Sequence, residues 1–142
     1  MIRKLLDNFH RYKKLKNTIN LNRDNIIFFS EGAHHYTHLK PFIDFYLKER
    51  HVIYITLSKN DSCEDIDNKN FSYFNLCSFF FLNLFFKTIH NSIIFTSLPD
   101  LGTLYFKNYP GNKNKFIYIF HSLASVHIQY NQDALKEYDI IF

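Results

Sequence analysis

Five apolar residues, Phe116-Ile117-Tyr118-Ile119-Phe120, end abruptly in His121-Ser122, and that histidine is the first candidate for chemistry. A buried strand that stops at an imidazole delivers it to the carboxyl edge, where open α/β sheets hold their ligands. There it can take a proton from a hydroxyl near neutral pH. The structural alternative is a ring that caps the strand-to-loop turn. His127, six residues on, reads as a second polar contact or a surface residue, with the surface favoured. Glu31-Gly32-Ala33-His34-His35 follows another apolar run, 26–29, so these groups are expected at the same edge. Glu31 can bind a hydroxyl, orient a histidine or stand as a solvated acid, and Gly32 permits a tight turn. A single glycine does not make a dinucleotide fingerprint, which needs several at fixed spacing. Asp100, after Ser97-Leu98-Pro99, reads as a cap for the next helical turn or as a group lining the crevice, and the two roles are compatible.

His34 and His38 stand four apart, the spacing at which one helix face presents two metal ligands. Pro41 argues against that reading, because a proline belongs near the first turn and the residues before it avoid helical backbone. No further carboxylate or thiol is placed to complete a set. Neither a metal nor a cofactor is expected.

A sheet must hold these groups. Strands are expected over 26–29, 52–56, 71–74, 93–96 and 116–120, with another beginning at 140. They are mostly apolar, as parallel strands covered on both faces are. Between them, Leu39, Phe42, Ile43, Tyr46 and Leu47 mark an amphipathic helix, 76–89 a buried one, and 104–106 a helical turn. Ile2, Leu5, Leu6, Phe9 and Tyr12 give an N-terminal helix of about three turns, followed by a polar linker over 17–25. Strands alternating with helices imply a Rossmann-like parallel sheet with helices on both faces. The expected division is a basic helix and linker at 1–23 and a Rossmann-like domain at 24–142.

Charge separates along the same line. Residues 1–23 carry seven Lys and Arg against Asp7 alone, whereas residues 24–142 carry ten against twelve Asp and Glu. A nucleic-acid-binding body would spread positive charge over one face, so no nucleic-acid partner is expected. The basic helix has two readings: contact with an anionic membrane surface, or packing on its own domain. Cys63 and Cys77 lack the paired spacing of a zinc site, and no apolar signal region opens the chain, so a reducing cytoplasm is the default. The longest apolar run, 79–86, falls short of a membrane span. A hydrophobic share of 46% excludes a disordered chain.

Three patches resemble the CDP-glycerol glycerophosphotransferase family, which includes the teichoic-acid primases and polymerases, and most closely its capsule and surface-polysaccharide branch. They are Phe29-Ser30-Glu31-Gly32 with Lys40-Pro41-Phe42; Thr96-Ser97-Leu98-Pro99-Asp100-Leu101; and Ile119-Phe120-His121-Ser122-Leu123-Ala124-Ser125-Val126-His127, continuing through Tyr130 to Glu137-Tyr138-Asp139. The last is the most specific.

The resemblance implies the N-terminal, acceptor-side half of a GT-B arrangement, in which two Rossmann-like halves face a cleft. His121 matches the family's base on the acceptor hydroxyl, although here it precedes Ser122 where the teichoic-acid enzymes usually have glycine. Glu31, Gly32, Asp100, Ser122 and His127 are the implied substrate-binding groups. The implied partners are a CDP-glycerol donor, held mostly by the other half, and a glycan or lipid-linked acceptor. The implied setting is cytoplasmic, with a peripheral position on the inner face of the plasma membrane. The donor-binding residues would lie beyond Phe142, so the chain is expected to be a fragment or split-gene product truncated at its C-terminus. Rival expectations are a GT-B nucleotide-sugar glycosyltransferase and a non-catalytic, doubly wound remnant.

Overall fold

A computed structural model of the chain describes residues 2–21, 24–59, 61, 63–99, 101–102, 106–120 and 133–142. Six strands form one all-parallel sheet: β1 (Ile26–Ser30), β2 (Val52–Thr56), β3 (Phe71–Asn75), β4 (Ile93–Thr96), β5 (Lys115–Tyr118) and β6 (Ile140–Ile141), in the order β3-β2-β1-β4-β5-β6. Registers are continuous across the centre, with Ile26 opposite both Val52 and Ile93, and Ile93 opposite Lys115. The expected α/β class is therefore the observed one, in the doubly wound order that reverses direction between β1 and β4.

Every residue of β1 and β2 is buried, because successive side chains enter two different cores. Ile27, Phe29, Ile53, Ile55, Ile94 and Phe116 face α3 (Phe79–Thr88) and α1 (Ile2–Leu21). Phe28, Val52, Tyr54, Phe95 and Ile117 face α2 (Tyr36–Tyr46), where Phe28 and Phe95 stack at 4.8 Å. Among the described residues no helix is long and apolar enough to cross a membrane.

α1 departs from the sequence reading in length and in phase. It continues through Leu21, so residues 17–21 of the expected linker are helical. Tyr12 of the expected apolar face is buried and Leu15 joins it, with Ile19 packed against the same core, whereas Leu5, Leu6 and Phe9 of that face lie outside the buried stripe. Those three are 60%, 51% and 49% exposed. The helix persists because Tyr12 and Leu15 anchor it: the Tyr12 ring lies 5.5 Å from that of Phe81, and its hydroxyl is 3.5 Å from Thr88 Oγ1.

Pro41 also sits differently, inside α2 and not in its first turn. A one-turn 3₁₀ helix, Ala33–His35, runs directly into α2. Pro41 and Thr37, whose carbonyl loses its helical donor to the proline, are both exposed, so water can take that bond. The third helix begins at Phe79, so residues 76–78 of the expected helix are not helical, and β5 spans Lys115–Tyr118, two residues short of the expected end. Of the expected turn at 104–106, residues 104 and 105 lie outside the described residues.

Candidate functional site

The strand order reverses between β1 and β4, and at the carboxyl edge beside such a reversal open α/β sheets place their ligand crevice. Three strands end there in the same way. Ser30 Oγ accepts the Gly32 N–H at 3.2 Å, Thr56 Oγ1 the Ser58 N–H at 3.0 Å, and Thr96 Oγ1 the Leu98 N–H at 3.2 Å. A hydroxyl that satisfies the N–H two residues on turns the chain away from the ladder. Ser30 also donates to the Gly32 carbonyl at 2.7 Å, which fixes the segment carrying Glu31.

Glu31 stands exposed on this lip, yet partial burial of its carboxyl raises its pKa above the ordinary glutamate value. Such a group keeps its proton to higher pH than a free glutamate and can exchange it with a bound hydroxyl. Gly32 is needed for space and not for its turn. Its backbone is extended (φ −151°, ψ 152°), and an added Cβ would lie 2.9 Å from Cε1 of His34. That ring is packed on His35, with centroids 3.9 Å apart.

His35 carries the feature that sequence reasoning missed. Its Nδ1 lies 2.8 Å from Ser97 Oγ, a hydrogen bond in which either atom can be the donor. Both residues are buried, His35 at 8% exposure and Ser97 at 0%. His35 follows β1 and Ser97 follows β4, so the bond ties together the two loops that flank the reversal. Ser97 is too enclosed to attack a substrate, and the pair holds the crevice in shape. In the sequence His35 stood between His34 and His38, the pair at metal-ligand spacing. Among the described residues no group of three His, Cys, Asp or Glu side chains is placed to hold a metal ion.

A second buried polar cluster lies under the α2 face. Asp61 Oδ2 accepts from the Tyr54 hydroxyl at 3.2 Å, and Asp61 Oδ1 accepts from Cys63 Sγ at 2.7 Å. Burial, chiefly, raises the pKa of both the phenol and the thiol, which makes Cys63 a poor nucleophile.

β5 delivers the chain to the same edge. Beyond its last residue, Ile119 donates to the Thr96 carbonyl at 2.8 Å and Phe120 to the Phe142 carbonyl at 2.9 Å. The next residue in sequence is His121. His121, Ser122, His127 and Asp100 lie outside the described residues. Of the candidate site residues, the structure thus brings Glu31 and Gly32 to the crevice and adds His35 and Ser97. In comparisons with known proteins, the chain matches no family model, no curated protein and no solved structure.

Proposed function

We propose that this chain is the acceptor-side unit of a CDP-glycerol-dependent glycerophosphotransferase in surface-polymer synthesis. The observation that supports the reading best is the reversal between β1 and β4. It sets Glu31 on the lip of a crevice towards which β5, the strand preceding His121, also runs. The family resemblance of the three patches supplies the chemistry. His121 takes the proton from an acceptor hydroxyl; the freed oxygen forms a bond to the glycerol-bearing phosphorus of CDP-glycerol; the pyrophosphate P–O bond breaks and CMP leaves. Glu31 accepts a hydrogen bond from the same acceptor. The donor is held by a second Rossmann-like unit, which supplies most of the charge stabilisation of the transferring phosphoryl group.

The reading places the chain at the inner face of a membrane, where a lipid-linked acceptor would be found. Leu5, Leu6, Phe9, Phe79 and Phe80 are exposed apolar residues on α1 and α3, and the two helices meet at Phe81, which lies 6.3 Å from Phe9 and 5.3 Å from Phe80. Lys13 and Lys16 are exposed further along α1. Basic and apolar groups together suit an anionic bilayer surface. The chain is expected to sediment with phosphatidylglycerol vesicles and not with purely zwitterionic ones. Phe9→Ser with Phe80→Ser should abolish that sedimentation.

Donor choice tests the function. The complete gene product, incubated with a membrane fraction as acceptor, is expected to release CMP from CDP-glycerol and to leave UDP-sugars intact. Consumption of a UDP-sugar in place of CDP-glycerol would make the protein a glycosyltransferase.

A further inference from the structure

β3 is an outermost strand of the sheet, and its backbone pairs with β2 on one side only. Val52 donates to the Asn70 carbonyl at 2.8 Å and Leu76 to the Thr56 carbonyl at 2.9 Å. Even-numbered residues of β3 therefore turn their backbone groups to β2, while Phe71, Tyr73 and Asn75 turn theirs outward. Two of the outward groups are bound already. The Phe71 N–H donates to the Asn68 carbonyl at 2.9 Å, and Arg11 donates to the Asn75 carbonyl at 3.2 Å. Among the described residues, the Phe71 carbonyl, both backbone groups of Tyr73 and the Asn75 N–H have no protein partner.

Nothing blunts this edge. Phe71-Ser72-Tyr73-Phe74-Asn75 holds no proline, no charge and no bulge, the usual devices that keep an outer strand from pairing. Its first three residues are only partly buried, unlike those of β1 and β2. A groove of about 620 Å³ leaves the space beside Tyr73 and Asn75 clear. The opposite outer strand, β6, spans only Ile140 and Ile141.

We propose that β3 pairs with β3 of a second copy of this chain, antiparallel about a two-fold axis at Tyr73. The open groups are self-complementary in that arrangement. Each Tyr73 N–H donates to the Tyr73 carbonyl of the other copy, and each Asn75 N–H to the other Phe71 carbonyl, which uses every open group. The two groups already bound, the Phe71 N–H and the Asn75 carbonyl, fall opposite each other, so none is orphaned. A register shifted by one residue would turn inward-facing groups to the partner and lose the match. A peptide from another protein can also add to an edge, but the symmetry about Tyr73 selects a second copy. Side chains agree with it. Opposed residues share a face, so the two Tyr73 rings meet across the axis and each Phe71 meets an Asn75. The groove beside the edge carries both signs of charge, Lys4, Arg11, Lys14 and Lys59 with Asp7 and Glu64, as suits a surface that faces itself. The pairing holds whether or not the chain is a transferase.

Sedimentation equilibrium of the full chain is expected to show a reversible dimer of twice 17.2 kDa. Amide hydrogen exchange reads the edge itself. The Tyr73 and Asn75 amides should exchange freely at low protein concentration and become protected as the dimer fills. The Phe71 amide, bound in its own turn, should change little. Tyr73→Pro removes a donor that the chain's own sheet does not use, and should weaken the dimer about tenfold. Tyr73→Phe keeps that donor and should leave the dimer unchanged. The exchange pattern decides even if Tyr73→Pro does not fold. The proposal is overturned by a chain still monomeric at about 1 mM, by a dimer whose Tyr73 and Asn75 amides stay unprotected, or by a folded Tyr73→Pro variant that dimerises as the native chain does. Loss of the dimer in Phe9→Ser with Phe80→Ser would also overturn it, by assigning the contact to the apolar flank. Dimerisation without any release of CMP from CDP-glycerol would sink the transferase and leave the edge pairing intact.

Discussion

Replacing His121 by Ala in the complete gene product is expected to lower turnover of CDP-glycerol by about 10²- to 10⁴-fold, the range that removal of a positioned general base produces. Acceptor binding should change little, because the imidazole is needed for proton removal and the rest of the crevice for affinity. The wild-type rate should also fall on the acid side of neutrality, since a base must be unprotonated to act, and the variant should lose that limb of its profile. Initial rates of CMP release between pH 5 and 9 measure both effects. The placement of β5 supports this expectation: it pairs in parallel with β4 at the centre of the sheet, and its chain leaves at the edge where Glu31 and the His35–Ser97 bond lie. A His121→Ala enzyme with near-wild-type turnover would remove the residue from the mechanism. Glu31 would then be the remaining candidate to receive the proton, its pKa already raised by partial burial.

The sheet was legible because its central strands are buried on both faces. Nothing polar interrupts Ile26 to Phe29 or Val52 to Ile55, and their boundaries agree with the structure to within one residue. The helices were less legible. Leu5, Leu6 and Phe9 repeat at helical spacing but stay exposed, while the stripe that packs uses Tyr12 and Leu15, which lie among lysines. Periodicity shows that a helix is amphipathic; it does not say which edge of the apolar arc meets the core. Pro41 misled for a related reason, since an exposed helix interior can spare one hydrogen bond to water. At the site, Glu31 and Gly32 were readable from their position after an apolar run. The His35–Ser97 contact was not, because 62 residues separate the partners and only the adjacency of β1 and β4 brings them together. The strand order carries that information, and no local pattern does.

Phe86→Ala is expected to cost about 3–5 kcal/mol, the usual range for emptying a buried aromatic site. Phe86 is 1% exposed, and four rings surround it: Phe106 at 5.1 Å, Phe85 at 5.2 Å, Phe29 at 5.3 Å and Phe116 at 6.3 Å. Phe29 belongs to β1 and Phe116 to β5, so this one side chain of α3 supports β1, beside the reversal, and β5, the strand that precedes His121. Four aromatic neighbours cannot collapse into the space without leaving their own positions, which keeps the cost at the upper part of the range. Set against a total of about 5–15 kcal/mol for a domain of this kind, the loss would leave a large unfolded fraction near 37 °C. Urea titrations followed by circular dichroism should show a lower midpoint with an unchanged slope. Phe80→Ala on the same helix is the control. Phe80 is 69% exposed, and its removal should shift stability by no more than about 0.5 kcal/mol. Equal losses from the two variants would mean that α3 does not present Phe86 to the sheet. β1 and β5 would then need another support.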